Sequence, residues 1–229
     1  MTTMRAGLIA IAAVALGIGL SACGSDTATE ESASTTSEIA TTTEAAPSSP
    51  PAGPAAGPKM TIADYVAEND IVQTTVLPGD PAAPTVTLPY ARGWEDLEPL
   101  PEGAYDGMVF TAGPDTADPP TLIARMWKLT GDVDPAKVIE YAAGEMQNLP
   151  GFQGPDTGQP SSLAGFDATQ TGGFYTRDGM TRMMAQKTVV IPAEDGIYVL
   201  QLTGDGTEDQ AYPVMDATAV IDEQATIVP

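Results

Sequence analysis

Apolar residues are distributed in three regimes along the chain. Ala6 to Leu20 is an unbroken run of small and aliphatic residues, led by Arg5 and diluted by Gly7, Gly17 and Gly19. The run is shorter than the roughly 20 apolar residues of a membrane span, and a basic residue ahead of such a run is the pattern of a signal peptide. Residues 24–58, GSDTATEESASTTSEIATTTEAAPSSPPAGPAAGP, then hold one large aliphatic, Ile39. Such a chain buries too little apolar area to offset its ordering entropy, so a disordered tether is predicted over 23–58. Its acidic first half should stay extended and its Pro-rich second half should favour polyproline II. From Lys59 the apolar positions become periodic, and one domain is predicted over 59–229.

Within that domain both periods occur. TIADYVAEND places Ile62, Tyr65 and Val66 on one helical face behind a Thr61/Asp64 capping box. IVQTTVL, TVTLPYARGW, GMVFTA and TLIARMWKLT read as strands. In the last, Ile123, Arg125, Trp127 and Leu129 share one face and Leu122, Ala124 and Met126 the other. A helix is predicted over 135–148, capped by Asp134, opened by Pro135 and stopped by Pro150-Gly151. GFDATQTGGFYTR and MTRMMAQKTVVIP flank the turn signal Asp178-Gly179, and Glu194-Asp195-Gly196 repeats a turn before IYVLQLTG. Tyr198, Leu200 and Leu202 face one way and Ile197 and Val199 the other, so helices should cover both sides of the sheet. TEDQAYPVMDATAVID reads as a last helix, kinked or begun at Pro213, and ATIV as an edge strand. Hairpins with about three interspersed helices give an α+β domain, a largely antiparallel sheet sandwiched by helices.

Charge and composition then remove whole classes of function. The 229 residues carry 31 acidic and 9 basic side chains, a net charge of -22, and no histidine. Nucleic acid is excluded as a partner because phosphate binding needs a basic patch. Without histidine there is no Ser-His-Asp triad, no Cys-His dyad and no His-bearing zinc site. Arg177, Arg182 and Lys187 fall on one hairpin and read as a solvated strand face. The single cysteine, Cys23, ends the tetrad Leu20-Ser21-Ala22-Cys23, which resembles a bacterial lipobox. That resemblance implies cleavage between Ala22 and Cys23, removing the 1–22 signal peptide, and acylation of the Cys23 thiol. Several acyl chains on one residue anchor a protein stably where one is marginal. The expected location is the outer face of the cell membrane.

No catalytic or metal-ligating set stands out. Asp132-x-Asp134 lacks the remaining positions of a calcium loop, and a turn followed by a helix cap accounts for it. Acidic pairs are too numerous for any one to mark a glycosidase. No P-loop and no G-x-S-x-G occurs; no cofactor is expected and the chain is read as a non-enzyme. Methionine is the less ordinary feature, with Met108, Met126, Met146, Met183, Met184 and Met215 in the domain; adaptable Met side chains serve apolar sites that accept varied ligands. The expected ligand site groups Trp127, Arg125, Ile123, Phe110, Met108, Tyr141, Met146 and Trp94, with an acyl chain held between the sheet and the 135–148 helix. Arg125 would stand at its mouth, since an arginine in an apolar row is costly unless its head reaches water or a polar partner.

The blocks TIADY (61–65), KLTGDVDPAKV (128–138), NLPGFQG (148–154), AQKTVVIP (185–192), VLQL (199–202) and VIDEQATI (220–227) resemble the LpqN family of mycobacterial lipoproteins. The resemblance covers the whole domain and is weakest over 90–106. It implies a fold like Mog1 and PsbP, an antiparallel sheet between helices. It also implies a cell-envelope lipoprotein that binds long-chain lipids or glycolipids and associates with mycolate-lipid transport. It carries over no catalytic residue. An adaptor for envelope transport or synthesis proteins, without a small ligand, is the competing reading; a carboxylate hydrolase is a distant third.

Overall fold

The computed structural model describes residues 57–114 and 117–229; the signal peptide, Cys23 and nearly all of the tether lie outside the described residues. The first element is α1 (Ile62–Glu68). Its N-terminus is closed by the expected capping box: Thr61 Oγ1 accepts from the Asp64 N–H at 3.1 Å, and the Asp64 carboxylate accepts from the Thr61 N–H at 2.9 Å. There follow β1 (Val72–Val76), β2 (Thr85–Thr87), β3 (Trp94–Asp96), β4 (Asp106–Phe110) and β5 (Thr121–Thr130). Two short helices, α2 (Pro135–Tyr141) and α3 (Gly144–Gln147), lead to β6 (Gln159–Leu163). The long strands β7 (Phe166–Arg177), β8 (Met180–Ala193) and β9 (Gly196–Thr207) come next, then α4 (Ala211–Gln224) and β10 (Thr226–Val228).

The main sheet is antiparallel throughout, in the order β3-β4-β5-β9-β8-β7-β6. One edge of β5 is shared, by β4 along its first half and by β1 along its second. The domain is thus α+β, with helices on both faces of the sheet. The two-residue period divides β5 and β9 as the sequence suggests. Leu122, Ala124, Met126, Tyr198, Leu200 and Leu202 join Val214, Ala217 and Ile221 of α4 in one core. Leu129, Ile197 and Val199 join Tyr65 of α1 and Val138 of α2 in the other, with Trp127 and Tyr141 packed against it.

Several sequence expectations need correction. The helix expected over 135–148 is two pieces, interrupted at Ala142–Ala143, although both residues keep right-handed helical backbone angles. The second piece packs so closely on the entering chain that a Cβ on Gly144 would stand 2.1 Å from the Met60 carbonyl oxygen. TVTLPYARGW is not one strand: β2 ends at Thr87 and β3 begins at Trp94, with Pro89, which has no N–H to donate, in the connection. The edge strand ATIV pairs with β2 in a separate two-stranded sheet. β6, with one aliphatic residue in QPSSL, carries no periodic apolar signal, so the sequence pattern does not predict it. Pro213 sits in the first turn of α4, where its missing N–H leaves no helical bond unmade.

The solvated-face reading of the β7–β8 hairpin also fails at two of its three cations. Arg182 is 2% exposed and Lys187 is 8% exposed. A buried cation needs carboxylate partners, and each has them: Arg182 donates to Asp205 and Asp118, and Lys187 to Asp222.

Candidate functional site

The strand registers place small residues side by side on the α4 face. Leu122 of β5 lies opposite Gly204 of β9, Gly204 opposite Ala185 of β8, and Ala185 opposite Gly172 of β7. Over Gly172 and Ala185 the row has no side-chain bulk and the sheet forms a trough, which ends at Gly204, where Val214 of α4 packs so closely that an added Cβ would stand 2.6 Å from its Cγ1. The flanking row on one side is Met183 and Phe174, paired across β8 and β7. The row on the other side is polar toward the sheet edge: Leu202, Lys187, Gln170 and Gln159 follow one another across β9, β8, β7 and β6. Helix α4 forms one wall, through Ala211, Met215, Thr218, Ala219 and Ile221, and Gln153 and Pro155 border the trough elsewhere. The result is a cleft of about 640 Å³, within the roughly 300–1,000 Å³ of small-molecule sites.

The cleft is amphipathic along its length. Met183, Leu122, Leu202, Ile221 and Met215 give one part an apolar lining. At the other, Lys187 Nζ donates to Ser161 Oγ at 3.0 Å and to Asp222 at 2.5 Å, and Ser161 Oγ donates to Gln170 Oε1 at 3.3 Å. Among the described residues, Lys187 and Asp222 are the only charged ones lining the cleft, and they pair with each other. The cleft is therefore electrically neutral in a chain of net charge -22.

On the opposite face, at the end of the sheet where α4 begins, lies the Arg182 cluster. Arg182 Nε donates to Asp205 Oδ1 at 2.8 Å, Tyr175 Oη donates to Asp205 Oδ2 at 2.5 Å, and Arg177 approaches Asp205 at 3.5 Å. Burial works against the Arg182 charge, but hydrogen bonds to Asp205 and Asp118 outweigh it and hold the guanidinium ionised more firmly than usual. Burial, and then the bond to Asp205, pushes the Tyr175 phenol up. Fully engaged among themselves, these groups tie β7, β8 and β9 to the segment at Asp118.

The eight residues singled out from sequence do not form one site. Trp127 and Tyr141 belong to the α1–α2 layer, where the Tyr65 and Tyr141 rings lie 5.8 Å apart. Met146 is fully buried on α3. Ile123 and Arg125 share the Trp127 side of β5 by strand alternation and are half-buried. Met108, Trp94 and Phe110 lie in the α4-side core at the β3–β4 edge, with the Trp94 and Phe110 rings 5.7 Å apart. None of the eight lines the cleft under α4. Met183 and Met215, from the same methionine set, do. Cys23 and the Ala22–Cys23 bond lie outside the described residues. The trough was invisible because it depends on register across four strands; its local traces are only the small residues of Gly172, Ala185 and Gly204.

A second, open groove of about 940 Å³ runs between α2 and the β6–β7 edge. Ile139, Val190 and Ile197 give it an apolar floor, and Asp134, Glu140 and Asp167 an acidic rim.

Residues 58–228 match the family described as Probable lipoprotein LpqN. The chain is 50% identical over 222 residues to the lipoprotein LpqN of Mycobacterium tuberculosis, covering 96% of this chain and 97% of that protein. The crystal structure of LpqN involved in cell envelope biogenesis of Mycobacterium tuberculosis superposes with a TM-score of 0.72 at 50% identity, covering 76% of this chain and all of that one. A match across the whole periodic part of the chain, with the same fold at half identity, leaves one assignment: the chain belongs to the LpqN lipoprotein family.

Proposed function

We propose that the cleft under α4 binds a long-chain lipid or glycolipid, and that the protein serves cell-envelope biogenesis, as LpqN does, in support of mycolate-lipid transport. The observation that carries this reading is the division of the cleft into an apolar trough and a polar end. An alkyl chain laid over Gly172 and Ala185 would lose its water contact to Met183, Leu202, Ile221 and Met215. The free energy of that burial is about 0.8 kcal/mol per methylene. At the other end, Gln159, Gln170 and Asp222 offer amide and carboxylate groups. They suit a neutral, hydroxyl-rich headgroup better than an anion, because Asp222 already occupies the Lys187 charge. The lipid anchor at Cys23, on the outer face of the membrane, would hold the domain near such ligands.

The test is calorimetry with alkyl maltosides of increasing chain length, below their micelle concentrations. Affinity should rise about fourfold per added methylene, the equivalent of about 0.8 kcal/mol. Affinity independent of chain length would remove the reading. The acidic, apolar groove beside α2 favours a second reading, an adaptor that docks an envelope transport or synthesis protein. A chain that binds no amphiphile, yet loses pull-down of such a protein on Ile139→Asp, would establish that alternative.

A further inference from the structure

We infer that the mouth of the α4 cleft is a docking surface for an uncharged or zwitterionic lipid surface, from which the ligand enters without crossing water. The inference rests on the lipid-binding reading of the cleft. Large apolar side chains cluster at its opening. Phe174 and Met215, both lining residues, are 36% and 60% exposed, and Tyr212, 79% exposed, stands one helical turn before Met215 on the same side of α4. Exposed aromatics and methionines contiguous with an open apolar cleft mark an interaction surface rather than scattered surface residues. An aromatic ring with one polar tip, as Tyr212 has, is suited to the boundary between headgroups and acyl chains.

Charge selects the occupant. The cleft lining is neutral, with Lys187 and Asp222 paired, whereas the chain as a whole is strongly acidic. A neutral apolar opening on an acidic body gains nothing from an anionic surface and is repelled elsewhere around its perimeter. An uncharged surface accepts the opening and leaves the acidic remainder in water.

The experiment places an environment-sensitive label on the full chain at Tyr212→Cys and, separately, at Val72→Cys, an exposed position on β1, with the unlabelled-site parent giving the background from Cys23. Each protein is bound to phosphatidylcholine vesicles carrying brominated acyl chains. Quenching at 212 and its absence at 72 is the expected result. No quenching at 212, or equal quenching at both positions, overturns the docking surface. A Tyr212→Ser variant separates this inference from the reading beneath it. It should slow uptake of a pyrene-labelled alkyl maltoside from vesicles and leave the affinity for dodecyl maltoside in water unchanged. Unchanged uptake overturns the docking surface while the cleft reading stands. Failure of the parent chain to bind dodecyl maltoside at all overturns both.

Discussion

Ala185→Leu isolates the trough from the rest of the domain. Ala185 is half-buried, its side chain lines the cleft, and its backbone sits between Gly204 and Gly172 in the small-residue row. A leucine there adds three carbons toward the cleft from a position that also packs against the α4-side core, so folding stability should change by no more than about 1–3 kcal/mol, the range of added methylenes in a packed site. The added carbons occupy volume that about three methylenes of a bound chain would fill. At about 0.8 kcal/mol each this is a loss of about 2.4 kcal/mol, or about 50-fold in Kd. Calorimetric titration with dodecyl maltoside measures it, with urea denaturation as the control for folding. A correctly folded Ala185→Leu protein that binds as tightly as the parent refutes the placement of the chain over this row.

Three further perturbations test the packing that shapes the cleft. Arg182→Met leaves Asp205 largely buried without its main partner; breaking such a pair costs about 3–5 kcal/mol, and the half-exposed position of Asp118 favours the lower end of that range, read as a shift in urea midpoint. Arg182→Met with Asp205→Asn should recover part of the loss, and no recovery would mean that the arginine stabilises by packing alone. Gly144→Ala gains about 1 kcal/mol of helix propensity but places a Cβ 2.1 Å from the Met60 carbonyl oxygen, so the net change in melting temperature should be a decrease. Burial first, and then the neighbouring Asp96 charge, pushes the Asp106 carboxyl up against the pull of its bond from the Gly107 N–H. A folded-state value above the unfolded one stabilises the fold at low pH and is lost as pH rises. Asp106→Asn should therefore be more stable than the parent at pH 7, with the gap closing below about pH 3.9, and an equal gap at both would exclude the burial explanation.

The sequence was most informative where one strand or helix decides its own arrangement. Alternation in TLIARMWKLT and IYVLQLTG assigned side chains correctly to the two cores, and Thr61/Asp64 and Asp134 capped their helices as expected. It was least informative where neighbours decide. QPSSL is a strand because β7 offers it an edge, not because of its own composition. Lys187 and Arg182 read as solvated because their partners, Asp222 and Asp205, lie 35 and 23 residues away. The trough has the same origin: Gly172, Ala185 and Gly204 are unremarkable singly and come together as a row of small residues only in register. Trp127 and Arg125 stand out in sequence as the bulky and the charged member of one apolar row, whereas a trough arises from an absence of bulk, which a single strand does not signal.

A crystal structure of the chain grown with dodecyl maltoside tests the central claim most directly. The account predicts an alkyl chain along Gly172 and Ala185, with the sugar against Gln159, Gln170 and Asp222. An empty trough, with the amphiphile bound instead in the groove between α2 and the β6–β7 edge, would contradict it.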